Sequence, residues 1–244
     1  MNGPNGPAIL DLNTQMDLLS PKGLYRLHDS DIIASNIKRL FGFLRSIRCA
    51  VVSTRLHHAM MPDRSAPHCV CTPGNPGYNK LSFTLLPQRT EMPIDCGTDL
   101  PVRTFDDAQQ YIFDLPDPNP FDSPRLDRLL SETDTNTWLI IGGPLESSVR
   151  MAVMGLLQRR KDVAIVKDCM GQRDPYEAEM AMRQVESKKI QWLTVDEVIE
   201  RCSRKPVRRS RLLARVTHRT RPAGGAAATS YRGRSITNAY RLRD

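Results

Sequence analysis

The chain has 244 residues, of which 40% are apolar and 25% charged, a balance that excludes a wholly disordered protein and gives room for one ordinary domain with an appendage. No run approaches the roughly 18 consecutive apolar residues of a membrane span. The opening MNGPNGPAILDLN has neither the basic nor the apolar region of a signal peptide, so no membrane association and a cytoplasmic address are expected. The net charge of +8 is unevenly spread: from Arg201 onward there are 13 Lys+Arg and one acid, while the first 200 residues hold 22 Lys+Arg and 26 acids. A mildly acidic body thus carries a basic tail. The six cysteines are scattered, and Cys69 and Cys71 near His57, His58 and His68 lack the usual two-residue metal spacing, so neither a metal nor a cofactor is expected.

Taken in chain order, Ala8 to Asn13 reads as a buried strand and Asp31 to Arg48 as an amphipathic helix, with Ile32, Ile33, Ile37, Leu40, Phe41 and Leu44 at helical spacing. Ala50 to Thr54 is the next strand. Residues 56–102 are rich in Pro, Gly and polar side chains and read as an inserted loop or lid. Strand Ala108 to Phe113, helix Pro124 to Glu132 and strand Trp138 to Ile141 follow. Then come helix Leu145 to Arg160, strand Val163 to Val166, helix Pro175 to Ser187 with Asp174 as its cap, strand Ile190 to Leu193 and helix Thr194 to Arg201. Strands alternating with helices predict a three-layer α/β/α sandwich around a mainly parallel, Rossmann-like sheet. Such sheets bind ligands beyond the carboxyl ends of their strands. Residues 1–203 are expected to form this domain. Residues 204–244, with scattered Arg and an Ala-Gly run, are expected to be disordered.

Two segments carry a resemblance. AILDLNTQMDLLSPKG is similar to the opening of isochorismatase-like proteins, the cysteine hydrolase superfamily, where the first strand runs into D-x-Q-x-D. IIGGPLESSVRMAVMGLLQRRKDVAIVKDCMGQRDPYEAEMAMRQ resembles that family's second signature: a glycine turn, the nucleophilic Cys, a long helix, a strand and D-x-x-x-x-R-D. The resemblance implies hydrolysis by an Asp that takes a proton, a Lys that orients charge, and a Cys at a helix start that attacks a carbonyl carbon.

All three positions are substituted here. The Asp falls on Asn13 (Asn13-x-Gln15-x-Asp17), the Cys on Ser148, and the Lys, counted back from Phe121, on Leu115. An amide is no general base, and a serine hydroxyl needs one more than a thiol does. The amide that would complete the family's oxyanion hole, beside Gly143, falls on Pro144, which has no N–H. Asp11 is weighed as a displaced base, and Arg103 and Arg125 as the only cations near enough to replace the missing lysine. Gln15 and Asp17 match positions that orient the turn after strand one. Arg55 and His57 lie at the pocket mouth.

The expected function is a catalytically degenerate relative that keeps a small-molecule pocket or a role in assembly, with a homo-oligomer in prospect. One alternative is an active hydrolase of a small amide or an isochorismate-like substrate, using Ser148 or no covalent intermediate. The other is a nucleic-acid-associated protein working through its basic tail.

Overall fold

A computed structural model describes residues 7–57, 59–60, 69–95, 97–101, 104–135 and 137–203. The strands are β1 (Ala8–Leu12), β2 (Val51–Leu56), the short pair β3 (Ala59–Met60) and β4 (Cys69–Val70), β5 (Arg89–Met92), β6 (Gln110–Leu115), β7 (Thr137–Gly142), β8 (Asp162–Met170) and β9 (Gln191–Leu193). The helices are α1 (Met16–Leu19), α2 (Ser30–Leu44), α3 (Pro124–Glu132), α4 (Arg150–Gln158), α5 (Pro175–Glu186) and α6 (Val195–Ser203). Seven strands make one parallel sheet in the order β5-β6-β2-β1-β7-β8-β9, and β3 pairs antiparallel with β4.

Alternation along β1 explains the two cores. Ile9 points to one face, where Val51, Ile141 and Val166 pack beneath α2 and α6 through Ile33, Ile37, Phe41, Val195 and Val198. Ala8, Leu10 and Leu12 point to the other, beneath α3, α4 and α5, against Leu126, Leu130, Val153, Leu156 and Val185. Each fully buried aliphatic contributes roughly 1.5–3 kcal/mol, and because both faces are covered the central strands read as continuous apolar runs. The architecture is therefore the expected three-layer α/β/α sandwich.

The differences from the sequence reading fall at strand ends and in residues 56–102. The predicted loop contains β5, a polar four-residue edge strand (Arg-Thr-Glu-Met) whose exposed positions carry no apolar run to reveal it. β6 extends to Leu115, so that residue closes a strand rather than opening a loop. β8 runs on through Lys167–Met170, because an irregularity in its pairing with β7 lets Gly142 face Met170. Asp168, two residues past the strand expected over Val163 to Val166, thus lies inside β8. The helix expected from Leu145 begins as a π-helical turn, Leu145–Val149, before α4 takes over.

β1 and β7 are neighbours whose onward connections run to opposite edges of the sheet, and their carboxyl ends are the switch point at which such sheets bind ligands. Gly142 closes β7 there with φ +97°, and a Cβ on it would sit 1.9 Å from the Leu12 carbonyl oxygen. Only glycine fits, for conformation and for space.

Candidate functional site

β1 ends at Leu12, and Asn13 adopts φ 51°, a left-handed conformation that Asn tolerates better than most residues. This turn swings its amide toward the end of β7. Asn13 Nδ2 donates to Ser148 Oγ at 2.8 Å and to the Gly143 carbonyl at 3.1 Å. Asn13 Oδ1 accepts from Thr54 Oγ1 at 2.6 Å, and Asn13 N donates to the same hydroxyl at 3.2 Å. Asn13 and Ser148 are buried, at 1% and 0% exposure. The polarity of the Asn13–Ser148 contact is the reverse of catalytic activation: the amide N–H donates a hydrogen bond to the hydroxyl oxygen, and the amide cannot take up a proton.

The family resemblance would place an oxyanion donor at Pro144. The Gly143–Pro144 bond is cis, and Pro144 offers no N–H. The next amide, Leu145 N, is spent on the Gly171 carbonyl at 2.8 Å. Leu115 is buried in the core of the second face, and its carbonyl accepts His57 N at 2.8 Å. Of its proposed substitutes, Arg103 lies outside the described residues. Arg125 pairs with Asp95 at 2.7 Å and packs on Met92 of β5. That strand is three places from β1, about 14 Å across the sheet.

Asp11 lies on the opposite side of the sheet from α4 and its π-helical turn. Its Oδ2 accepts from Ser53 Oγ at 2.7 Å and from Lys80 Nζ at 2.9 Å. Lys80 also donates to the Thr54 carbonyl at 3.2 Å, and its side chain is only 1% exposed. Burial pulls the ammonium below its usual pKa, against the pull of Asp11. Gln110 extends the layer, donating at 2.8 Å to Ser53 Oγ and to the Thr84 carbonyl. Sequence reasoning missed Lys80. It is the single lysine of a Pro- and Gly-rich segment, and no spacing marks a lone lysine as a partner for Asp11.

Gln15 bolts the turn to β2: Nε2 donates to the Leu56 and Tyr78 carbonyls, both at 2.9 Å, and Oε1 accepts Leu56 N at 2.7 Å. Asp17 accepts Cys71 N at 2.7 Å and Leu24 N at 3.2 Å. At the mouth, Arg55 grips Asp114 at 2.5 and 3.1 Å and Glu91 at 3.0 Å. Burial lowers the Arg55 pKa, but the bond to Asp114 and its charge, with Tyr78 and Glu91, together more than offset it, so the guanidinium stays charged. Asp168 accepts Val195 N at 3.0 Å at the start of α6, and Asp174 accepts Tyr176 N and Glu177 N at 2.9 and 3.0 Å. Both are helix caps. Burial and, less strongly, Cys202 push the Cys49 thiol up to about 12, and burial and Asp168 raise that of Cys169. Neither is a poised nucleophile. Among the described residues no group of three His, Cys, Asp or Glu could hold a metal ion, and no helix is long and apolar enough to cross a membrane. His58, His68 and the Cys69 side chain lie outside the described set.

The Isochorismatase domain model matches residues 7–197. Solved structures share the fold. An isochorismatase-like hydrolase from Alkaliphilus metalliredigens aligns with TM-score 0.62 and 18% identity over 82% of this chain and 99% of its own. The MAR1 ribonuclease from Caenorhabditis elegans aligns with TM-score 0.55 and 15% identity over 81% of each chain. The octameric YcaC gene product of Escherichia coli, a hydrolase of unknown specificity, gives 0.56 and 18% over 80% of this chain and 78% of its own. No curated protein matches. With its signatures, its sheet and the family domain spanning residues 7–197, the chain belongs to the isochorismatase family.

Proposed function

We propose that the chain is a catalytically degenerate member of its family, a cytoplasmic pseudoenzyme that retains the strand-end pocket for a small molecule or the family surface for homo-oligomeric assembly. One observation carries the reading: Asn13 donates to the buried Ser148 hydroxyl at 2.8 Å, where a general base would have to accept. Losing a general base typically costs about 10²- to 10⁴-fold in rate. Losing an oxyanion donor costs about 10²- to 10³-fold more. The test is turnover of nicotinamide, simple carboxamides, N-carbamoyl compounds and isochorismate by the purified chain beside Ser148→Ala. No turnover by either is expected. Activity lost in Ser148→Ala would sink the reading, and activity that survives there would point to a non-covalent mechanism.

A second reading rests on the charge of the tail, 13 Lys+Arg and one acid from Arg201 to the end. Nucleic-acid binding through it would fall steeply with salt and vanish on deletion of residues 204–244. RNA is the first probe, because the fold is shared with a ribonuclease.

A further inference from the structure

A strap crosses the ends of β1 and β2. Met16 N donates to the Asn79 carbonyl at 2.8 Å, Leu81 N to the Thr14 carbonyl at 2.9 Å, and Gln15 faces Lys80 as an antiparallel bridge. Lys80 anchors the strap from beneath through Asp11 and the Thr54 carbonyl. Gly77 lets it sit close, since a Cβ there would lie 2.0 Å from the Asp17 carboxylate.

Two residues before the anchor, Tyr78 hangs over the mouth. The Arg55 guanidinium lies 4.6 Å from its ring centroid. The His57 ring meets it edge-on, centroids 5.7 Å apart and planes at 89°. Asp114, the register partner of Arg55 on the adjacent strand, is the carboxylate that acts on its hydroxyl. Burial, and then Asp114, push the phenol's pKa up, so it remains a neutral donor. A cation over the face, an aromatic edge against the ring and a carboxylate at the hydroxyl are together what a site for a free phenol would present.

We propose that this mouth is a binding site for a planar aromatic ring bearing a hydrogen-bond donor, and that Tyr78 is its built-in occupant, held in place by the Lys80 anchor. This rests on the reading that the pocket is retained. It adds the ligand class and the element that competes for the site. The strap contributes the aromatic ring, and β2 and β6 contribute the receptor groups, Arg55 and Asp114. A ligand that displaces Tyr78 inherits all three contacts.

The experiment uses the full chain, phenol as probe and ligand-observed NMR. Tyr78→Ala should bind phenol saturably, at least tenfold more tightly than the parent chain, and benzene more weakly than phenol for want of a hydroxyl. Arg55→Met in the Tyr78→Ala background should remove the gain. Equal binding by parent and variant, or binding by neither, overturns the proposal. Should Tyr78→Ala fail to fold, Tyr78→Val, still smaller than the ring, takes its place with the same expected result. The outcome is separable from turnover: hydrolysis of an amide would sink catalytic degeneracy and leave phenol binding standing, and failed phenol binding would say nothing against silent chemistry.

Discussion

Two polar junctions sit two residues apart in the chain, one in the first strand and one in the turn that ends it, and differ in every electrostatic respect. At Asn13 and Ser148, where the family's chemistry would take place, the contact is neutral, amide to hydroxyl. At Asp11 and Lys80, on the opposite side of the sheet from α4, the contact is a full ion pair with both side chains at most 1% exposed. A carboxylate and an ammonium are present, but they neutralise each other away from the serine. Charge is thus kept in this protein for packing and withheld from the position where it could act on a substrate.

The largest test of that contrast is Lys80→Met. It strands the Asp11 carboxylate in the interior and should cost about 3–5 kcal/mol in urea unfolding. Lys80→Met with Asp11→Leu should recover most of the loss, because apolar replacement of a whole buried pair is often close to neutral. A single variant as stable as the parent would mean that the pair is not the anchor.

Asn13→Asp probes the other junction. A carboxylate there faces the Gly143 carbonyl at the 3.1 Å contact that Nδ2 now makes as donor, so about 2–4 kcal/mol should be lost at neutral pH. The loss should ease in acid as the carboxyl takes a proton. No turnover should appear, since Leu115 still supplies no cation and Pro144 no N–H. Turnover gained by this change alone would show that a single missing base had silenced the site.

The smallest expected effect calibrates both. Asp127 receives Arg159 at 2.6 and 2.8 Å, and that bond, opposed by partial burial, holds its carboxyl below the usual range. A depressed carboxylate stabilises the fold above its unfolded pKa of about 3.9 and loses that contribution as pH falls through the lower folded value. With both side chains partly solvated, Asp127→Asn should cost under about 1 kcal/mol at pH 7 and nothing near pH 2, measured by thermal unfolding. If it cost as much as Lys80→Met, burial would not be what separates the pairs.

Much of this architecture was legible from sequence because its cause is local. Apolar spacing in α2, the continuous runs of β1 and β7, and Asp174 ahead of Pro175 each reflect a residue's neighbours in the chain. The segments that bring Asn13 to Gly143 and Ser148 were singled out from sequence because two motifs fix their spacing. β5 was not, because a four-residue edge strand of Arg, Thr, Glu and Met has its meaning only in hydrogen bonds to β6.

By itself, then, the sequence determined the layers of the fold, and it put Asn13, Leu115 and Pro144 where the family resemblance would place a base, a lysine and an oxyanion amide. Tertiary structure alone decided where the remaining charges went. Lys80 lies 69 positions from Asp11 in the chain, and Tyr78 lies 23 from Arg55. Neither pairing leaves a periodic trace. An ion pair or a ring over a guanidinium is a contact of groups in space, and only closure of the strap over the sheet brings those groups together.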